Sequence, residues 1–386
     1  MKTRLSKHLR CPISREPLEL VAWETFERPL DAATRSRAAS LGIEPAELAT
    51  EVQSGVLLSK REKVAFPIVD GVPRMITFRA GVVAKFDERF GERLRRELPG
   101  YALPEGGALE GEEEVLRTFS SEWTGYDWDG QTYWNLNAQT WFKAMDYVLQ
   151  LEPNQLDGKL ALEVGIGIGG VADHVCRSQG AEVVGMDLGY AVDVAYRHFG
   201  ANPFLHIVQA SAFKPPFAKQ TFDFIYSFGV LHHTFSTKTA FDAVGALTKA
   251  AGRFFLWVYS PNNETRSLLR RALMQIENVA RPVITKLPEK AQALALAPTI
   301  PVYMGWQALQ VLRGNADVRY GVREAMHAAR DRLTPKFAHR HTEDEVVGWF
   351  RENGFGALRR GSEREVPSWL PVGFLANTAV DGVRER

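Results

Sequence analysis

Glu163-Val164-Gly165-Ile166-Gly167-Ile168-Gly169-Gly170 constrains this chain more than any other stretch, because it joins a short apolar run to the start of a helical pattern. Leu160, Ala161 and Leu162 read as a buried strand, and Val171 to Arg177 as the opening of a helix. Glycines between the two let the backbone turn tightly and bring a ligand close, where a Cβ would collide or forbid the required φ. The loop therefore predicts a nucleotide-type cofactor at the end of a strand in an α/β sheet.

Gly165, Gly167 and Gly170 satisfy G-x-G-x-x-G, and Asp187 lies where a ribose-binding acid belongs in a dinucleotide fold. Glu163, two residues before the first glycine, separates two chemistries, since a carboxylate there fits a cationic amino-acid cofactor better than a pyrophosphate. The E-x-G-x-G-x-G arrangement resembles motif I of class I S-adenosylmethionine (SAM) methyltransferases. Later segments continue the resemblance. Ala181 to Asp187 reads as a second strand, Phe204 to Ala210 as a third, Phe222 to Phe228 with the loop to His233 as a fourth, and Arg253 to Ser260 as a fifth. It implies a seven-stranded Rossmann-like sheet, with SAM held by Glu163, Gly165, Gly167, Gly169, Asp187, Leu188, Ser211, Ala212 and Ser227. The family's usual acid after the third strand, which reads the adenine amino group, is absent; Ser211-Ala212-Phe213 stands there.

The chain has 386 residues, 45% hydrophobic and 24% charged, which suits a globular protein of two or three domains. A net charge of +1 gives no global pull towards nucleic acid. Two cysteines, Cys11 and Cys176, exclude a disulfide framework and suit a reducing cytoplasm. Met1-Lys2-Thr3-Arg4 is basic, but no apolar stretch follows it as a signal peptide requires.

Residues 1–78 read as a small β-rich unit. Cys11-Pro12-Ile13-Ser14, Ser59-Lys60-Arg61-Glu62 and the run from Phe66 to Arg74 resemble the zinc-ribbon family that activates, or is fused to, methyltransferases. That pattern carries two C-x-x-C pairs, and the matching positions here are Cys11, Ser14, Ser59 and Glu62. One thiolate, one carboxylate and two hydroxyls do not make a closed zinc tetrahedron, so the expectation is a degenerate ribbon without metal.

Residues 79–118 read as a linker, most plainly Gly100 to Glu114. Residues 119–260 are the expected cofactor-binding core, opened by an aromatic lid. Trp123, Tyr126, Tyr133 and Trp134 are the lid's candidates for the acceptor pocket, although Trp134, Trp141 and Met145 read equally as helix core. Residues 261–340 are expected to form a helical cap inserted above the acceptor site. The cap holds 13 Lys and Arg against 6 Asp and Glu, yet Ala291 to Leu312 carries no charge. Pro298 and Pro301 argue against a membrane span there, leaving buried cap helices or contact with a membrane surface.

Residues 341–386 are expected to complete the sheet. Thr342 and Glu345 form a capping box, Val346, Trp349 and Phe350 an apolar face, and Gly354 a stop. Arg359 onwards and Val372 to Thr378 would supply the last two strands, the final one inserted antiparallel.

Methyl transfer from SAM is an in-line displacement, so the protein chiefly aligns the acceptor and excludes water. An alcohol or phenol still needs a base. His232 and His233, at the carboxyl end of the fourth strand, are the catalytic candidates, and Tyr259, His339 and His341 further substrate-side candidates. A histidine that merely fixes the loop is the competing explanation. The function expected is methylation of a small or lipid-like acceptor at oxygen or another heteroatom. The alternatives are RNA methylation, weakened by the absence of an Asn-Pro-Pro-Tyr-type motif at Ser227-Phe228-Gly229-Val230, and a non-catalytic SAM binder, which the intact glycine loop opposes.

Overall fold

The computed structural model describes residues 1–124, 132–133, 136–261, 275, 279–314, 316–370 and 376–386. Its first unit contains α1 (Thr3–Ser6), β1 (Glu19–Glu27), α2 (Ala32–Ser40), α3 (Pro45–Ala49), β2 (Thr50–Ser59), β3 (Val64–Val69) and β4 (Val72–Pro73). The strands form an antiparallel sheet in the order β1-β2-β3-β4. Asp70 and Gly71, with φ of 49° and 79°, make the two-residue turn between β3 and β4, the conformation that an Asp-Gly pair favours in hairpins.

The positions aligned with zinc ligands retain a turn geometry at both knuckles. The Ser14 N–H donates to Cys11 Sγ at 3.5 Å, and the Glu62 N–H to Ser59 Oγ at 3.4 Å. Arg61 pairs with Glu16 at 3.2 Å, joining the second knuckle to the segment that follows the first. The Cys11 side chain is buried among Leu5, Leu9 and Phe217.

The span expected as a linker instead contains α4 (Gly81–Glu97) and the start of α5 (Glu112–Thr124). Val83, Phe86 and Leu94 recur at helical spacing and bury one face of α4 against Val56 and Leu58. The many charges between them hid the periodicity. Residues 79–80 and 98–111 are the parts of that span outside a helix or strand.

A short hairpin, β5 (Thr132–Tyr133) with β6 (Leu136–Asn137), precedes α6 (Ala138–Leu149). The alternation then runs β7 (Leu160–Val164), α7 (Gly170–Gln179), β8 (Glu182–Asp187), α8 (Ala191–Phe199), β9 (Leu205–Gln209), β10 (Phe222–Phe228), α9 (Thr237–Gly245) and β11 (Thr248–Val258). The inserted segment includes α10 (Glu289–Leu296), α11 (Ile300–Leu312) and α12 (Val322–Leu333). The chain then forms α13 (Glu343–Glu352), β12 (Phe355–Arg360) and β13 (Thr378–Arg384). Among the described residues, no helix is long and apolar enough to cross a membrane.

The seven-stranded sheet has the order β12-β13-β11-β10-β7-β8-β9, with β13 antiparallel between β11 and β12. The fold class is thus the α/β sheet expected, but three boundaries move. β11 starts at Thr248 rather than Arg253, β12 at Phe355 rather than Arg359, and the last strand occupies Thr378–Arg384 instead of Val372 to Thr378. Asp381 disguised that last strand. Its buried carboxylate accepts from Arg253 Nε at 3.0 Å and also pairs with Arg359, so a residue that reads as solvent-facing lies inside the sheet.

The first unit is built onto the edge of this sheet. Arg74 bridges Gln209 in parallel register, and the Met75 N–H donates to the Gln209 carbonyl at 2.8 Å. The Arg74 guanidinium is buried and reaches both Gln209 Oε1, at 3.3 Å, and the Asp193 carboxylate. Phe66 and Ile68 share an apolar core with Leu162, Val184 and Val208. Burial on this shared face removes apolar area from water for both units at once.

Candidate active site

Strand order reverses around β7, and the carboxyl ends of β7, β8, β10 and β11 open onto one cavity of about 980 Å³. This is the place where open α/β sheets bind ligands. Its wall includes Glu163, Gly165, Gly167, Asp187, Leu188, Ser211 and Ala212 of the expected cofactor set.

Glycine is required in the loop for two different reasons. Gly165 has φ of 86°, and a Cβ there would lie 2.1 Å from Val230, so the loop after β7 can approach the loop after β10 only without a side chain. At Gly167, φ is 51° and an added Cβ would project towards Trp123, 4.0 Å away across the cavity.

Glu163 is buried and accepts a hydrogen bond from the Tyr226 phenol at 3.2 Å. Burial pushes its carboxyl well above the usual carboxylate range, and the nearby Asp187 pushes it the same way. Asp187 is likewise raised by burial, against the Gly189 and Gly167 N–H groups, which donate to its two oxygens at 2.7 and 3.2 Å. Two acids on one wall, with no ion-pair partner among the described residues, suit a ligand that brings its own positive charge and hydroxyl donors. SAM meets that description. Its ammonium and sulfonium are cations, and its ribose offers two hydroxyls to Asp187.

Two members of the expected cofactor set are not on the wall. Gly169 caps α7, and a Cβ there would meet Ala195 and Phe199 of α8, so its glycine serves helix packing. Ser227 is buried and donates its hydroxyl to the Val164 carbonyl at 3.2 Å, which ties β10 to β7.

An acid does stand beside Ser211, but it belongs to a different element. Glu112, the first residue of α5, lies buried on the cavity wall, where the Ser211 hydroxyl donates to it and its other oxygen accepts from the Leu109 N–H at 2.7 Å. Sequence reading missed it because it fell in the expected linker. The signal available was the run Glu112-Glu113-Glu114, an acidic first turn of the kind that stabilises a helix N-terminus.

Of the lid, Trp123 lines the cavity. Tyr126 and Trp134 lie outside the described residues, and for Tyr133 only its place in β5 is described. Trp141 and Met145 are both buried core and cavity wall, so the two readings of that stretch coincide.

The histidines divide clearly. His233 lines the cavity, and its Nδ1 lies 2.8 Å from the Phe337 carbonyl. Burial lowers its pKa to about 4, so the ring is neutral at physiological pH. A carbonyl can only accept, so Nδ1 carries the proton and Nε2 keeps its lone pair. His232 is not on the wall. Its ring is buried against Tyr259, with centroids 4.0 Å apart, and burial holds it well below the usual histidine range.

His339 and His341 are not on the wall either. The His339 N–H donates to the His232 carbonyl at 2.9 Å, while the His341 ring bridges Thr237 and Glu345, each at 2.9 Å. His339 thus fastens the segment before α13 to the loop after β10, and His341 fastens it to the start of α9. Tyr259, by contrast, lines the cavity and hydrogen-bonds Asp331 of α12, whose carboxyl burial pushes up to about 6. Asp331 was not among the sequence candidates, because only packing of the inserted helices brings it to the sheet.

Residues 162–256 match the family described as "Methyltransferase domain", and residues 2–71 the family described as "Trm112p-like protein". The chain thus carries a SAM-dependent methyltransferase domain. In this protein the catalytic domain follows a Trm112p-like domain in the same chain.

Similar solved structures include the CurJ carbon methyltransferase, at 16% identity and TM-score 0.37 over 64% of this chain. This chain spans about half of that relative, 54% of its length. Another is the Haloferax volcanii Trm112 methyltransferase activator complexed with a methyltransferase, at 12% identity and TM-score 0.40, covering 73% of this chain and 100% of that one. A third is Haemonchus contortus phosphoethanolamine N-methyltransferase 2 with SAM, at 14% identity and TM-score 0.41, covering 72% and 61%.

Proposed function

We propose that the enzyme methylates a small or lipid-like acceptor at oxygen or another heteroatom, with the acceptor seated between the lid and the inserted helices. The carrying observation is that one cavity runs from Glu163 and Asp187 to His233, Tyr259 and Asp331. Glu163, Gly165, Gly167, Asp187, Leu188, Ser211 and Ala212 would hold SAM, which supplies the electrophilic methyl group when bound. Trp123, facing Gly167 across the cavity, would shield that end from water and favour a sulfonium over its ring.

His233 is the base in this reading. Its neutral ring, held through Nδ1 by Phe337, can take an acceptor proton at Nε2 as the oxygen attacks. Residues 261–340 act as the cap, and residues 341–386 complete the sheet. Both cysteines are free and buried, which supports a cytoplasmic location.

Extract methylation with labelled SAM, separated into organic-soluble, aqueous and nucleic-acid fractions, tests the acceptor class. Label in the organic-soluble or small-metabolite fraction supports the proposal. Label in RNA would overturn it in favour of RNA methylation, and no label with SAM bound would favour a non-catalytic binder.

A further inference from the structure

The uncharged helix α11 has two distinct sides. Tyr303, Gln307 and Gln310 line the cavity on one, while Val302, Leu309 and Leu312 face solvent on the other. Trp306 and Arg313 sit at the boundary, exposed and yet part of the cavity wall. The spacing of 302, 306, 309 and 313 follows one helical stripe, so this arrangement is a property of the sequence as well as of the packing. Val302 is 69% exposed, Leu312 75%, and Leu294 of the neighbouring α10 77%. Ordinary cap helices would bury such residues. An apolar stripe left in water beside a cavity mouth marks an interaction surface.

Charge identifies the partner. Residues 261–340 carry 13 Lys and Arg against 6 Asp and Glu, while the whole chain balances at 47 against 46. The rest therefore holds 34 basic and 40 acidic residues, so positive charge is concentrated in the insertion. Lys286, Lys290, Arg313, Arg319 and Arg323 are exposed in the helices and loops around the stripe.

We propose that this face of α10 and α11 seats on an anionic lipid surface, so that the cavity takes an amphipathic acceptor directly from the bilayer. A tryptophan at the rim, aliphatic residues beyond it and basic side chains around them are what an interfacial helix requires. At 13 residues α11 is too short to span a bilayer. A second copy of the chain is the poorer occupant, because two basic faces would meet. The inference rests on the amphipathic-acceptor reading above and adds the surface from which the acceptor is drawn.

Flotation of the full chain with phosphatidylcholine vesicles, with and without phosphatidylglycerol, tests the surface independently of catalysis. Binding is expected with phosphatidylglycerol, weakened by salt, and reduced by about tenfold or more in Val302→Asp/Leu309→Asp/Leu312→Asp. None of these three residues lines the cavity, so S-adenosylhomocysteine binding should be unchanged. Should that variant fail to fold, Lys286→Glu/Lys290→Glu/Arg319→Glu serves instead and should lose the preference for anionic vesicles. Failure to bind phosphatidylglycerol vesicles would overturn the proposal, as would binding that survives both variants. Self-association abolished by the aspartates, without vesicle binding, would assign the face to a second copy and also overturn it. Organic-soluble methylated product without vesicle binding would remove this surface while leaving the acceptor reading intact.

Discussion

The imidazole of His233 donates its Nδ1 proton to the carbonyl of Phe337, 2.8 Å away and 104 residues further along the chain. The bond joins the loop after β10 to the segment leaving the cap. It also fixes the tautomer, so one contact both anchors the cap and leaves a basic nitrogen on a cavity-lining residue.

Replacing His233 by Asn keeps an amide donor for that carbonyl but removes the base. For a hydroxyl acceptor, kcat should fall by about 10²–10⁴-fold, with S-adenosylhomocysteine affinity unchanged by calorimetry. An unaltered kcat would return His233 to a structural role.

Burial lowers the His233 pKa to about 4, so the unfolded chain binds more protons than the folded one between about pH 4 and 6.5, and burial of His232 acts in the same direction. Their effect is that stability rises with pH across that window and is lost on acidification. A histidine that stays neutral costs about 2 kcal/mol at pH 5. The raised carboxyls of Glu163, Asp187 and Asp331 act in the opposite direction, so the informative quantity is a difference. His232→Phe should gain stability over wild type as pH falls from 7 to 5, measured by denaturant melts. A constant offset between the two proteins would contradict the assignment.

Asp187→Ala should weaken S-adenosylhomocysteine binding by about 1.5–3 kcal/mol, because it removes a charged acceptor. The Gly167 and Gly189 N–H groups lose their partner in the same step. Calorimetry on both proteins checks this, and NAD should bind neither. Tight NAD binding without the sulfur compound would contradict the cofactor assignment.

The purified protein should contain no stoichiometric zinc by elemental analysis. Cys11 is packed in apolar core, and Ser14, Ser59 and Glu62 replace the other thiolates. Chelator treatment should leave the melting temperature unchanged, whereas one zinc per chain would refute the degenerate-ribbon reading.

Much of the parallel sheet was legible because its strands are short apolar runs and its glycine loop tolerates little else. Glu163 and Asp187 could be placed by counting from those glycines, since loop and strand ends are contiguous in sequence. The helix α4 was not legible, because its apolar residues are diluted by charge, and β13 was not, because Asp381 breaks the pattern. Ser227 was misplaced for a simpler reason. Motif position located it at a strand end, but only the paired strand shows that its hydroxyl is already taken by Val164.

The sequence by itself determined the fold class, the cofactor loop and the family resemblance, because each depends on residues within a few positions of one another. Tertiary structure alone decided that Glu112 stands beside Ser211, that Asp331 reaches Tyr259, and that His233 rather than His232 faces the cavity. Those relationships join residues far apart in sequence, or differ by a single side-chain direction in a short helical turn. Packing of the inserted helices onto the sheet sets them, and no local pattern of hydrophobicity or charge encodes that packing.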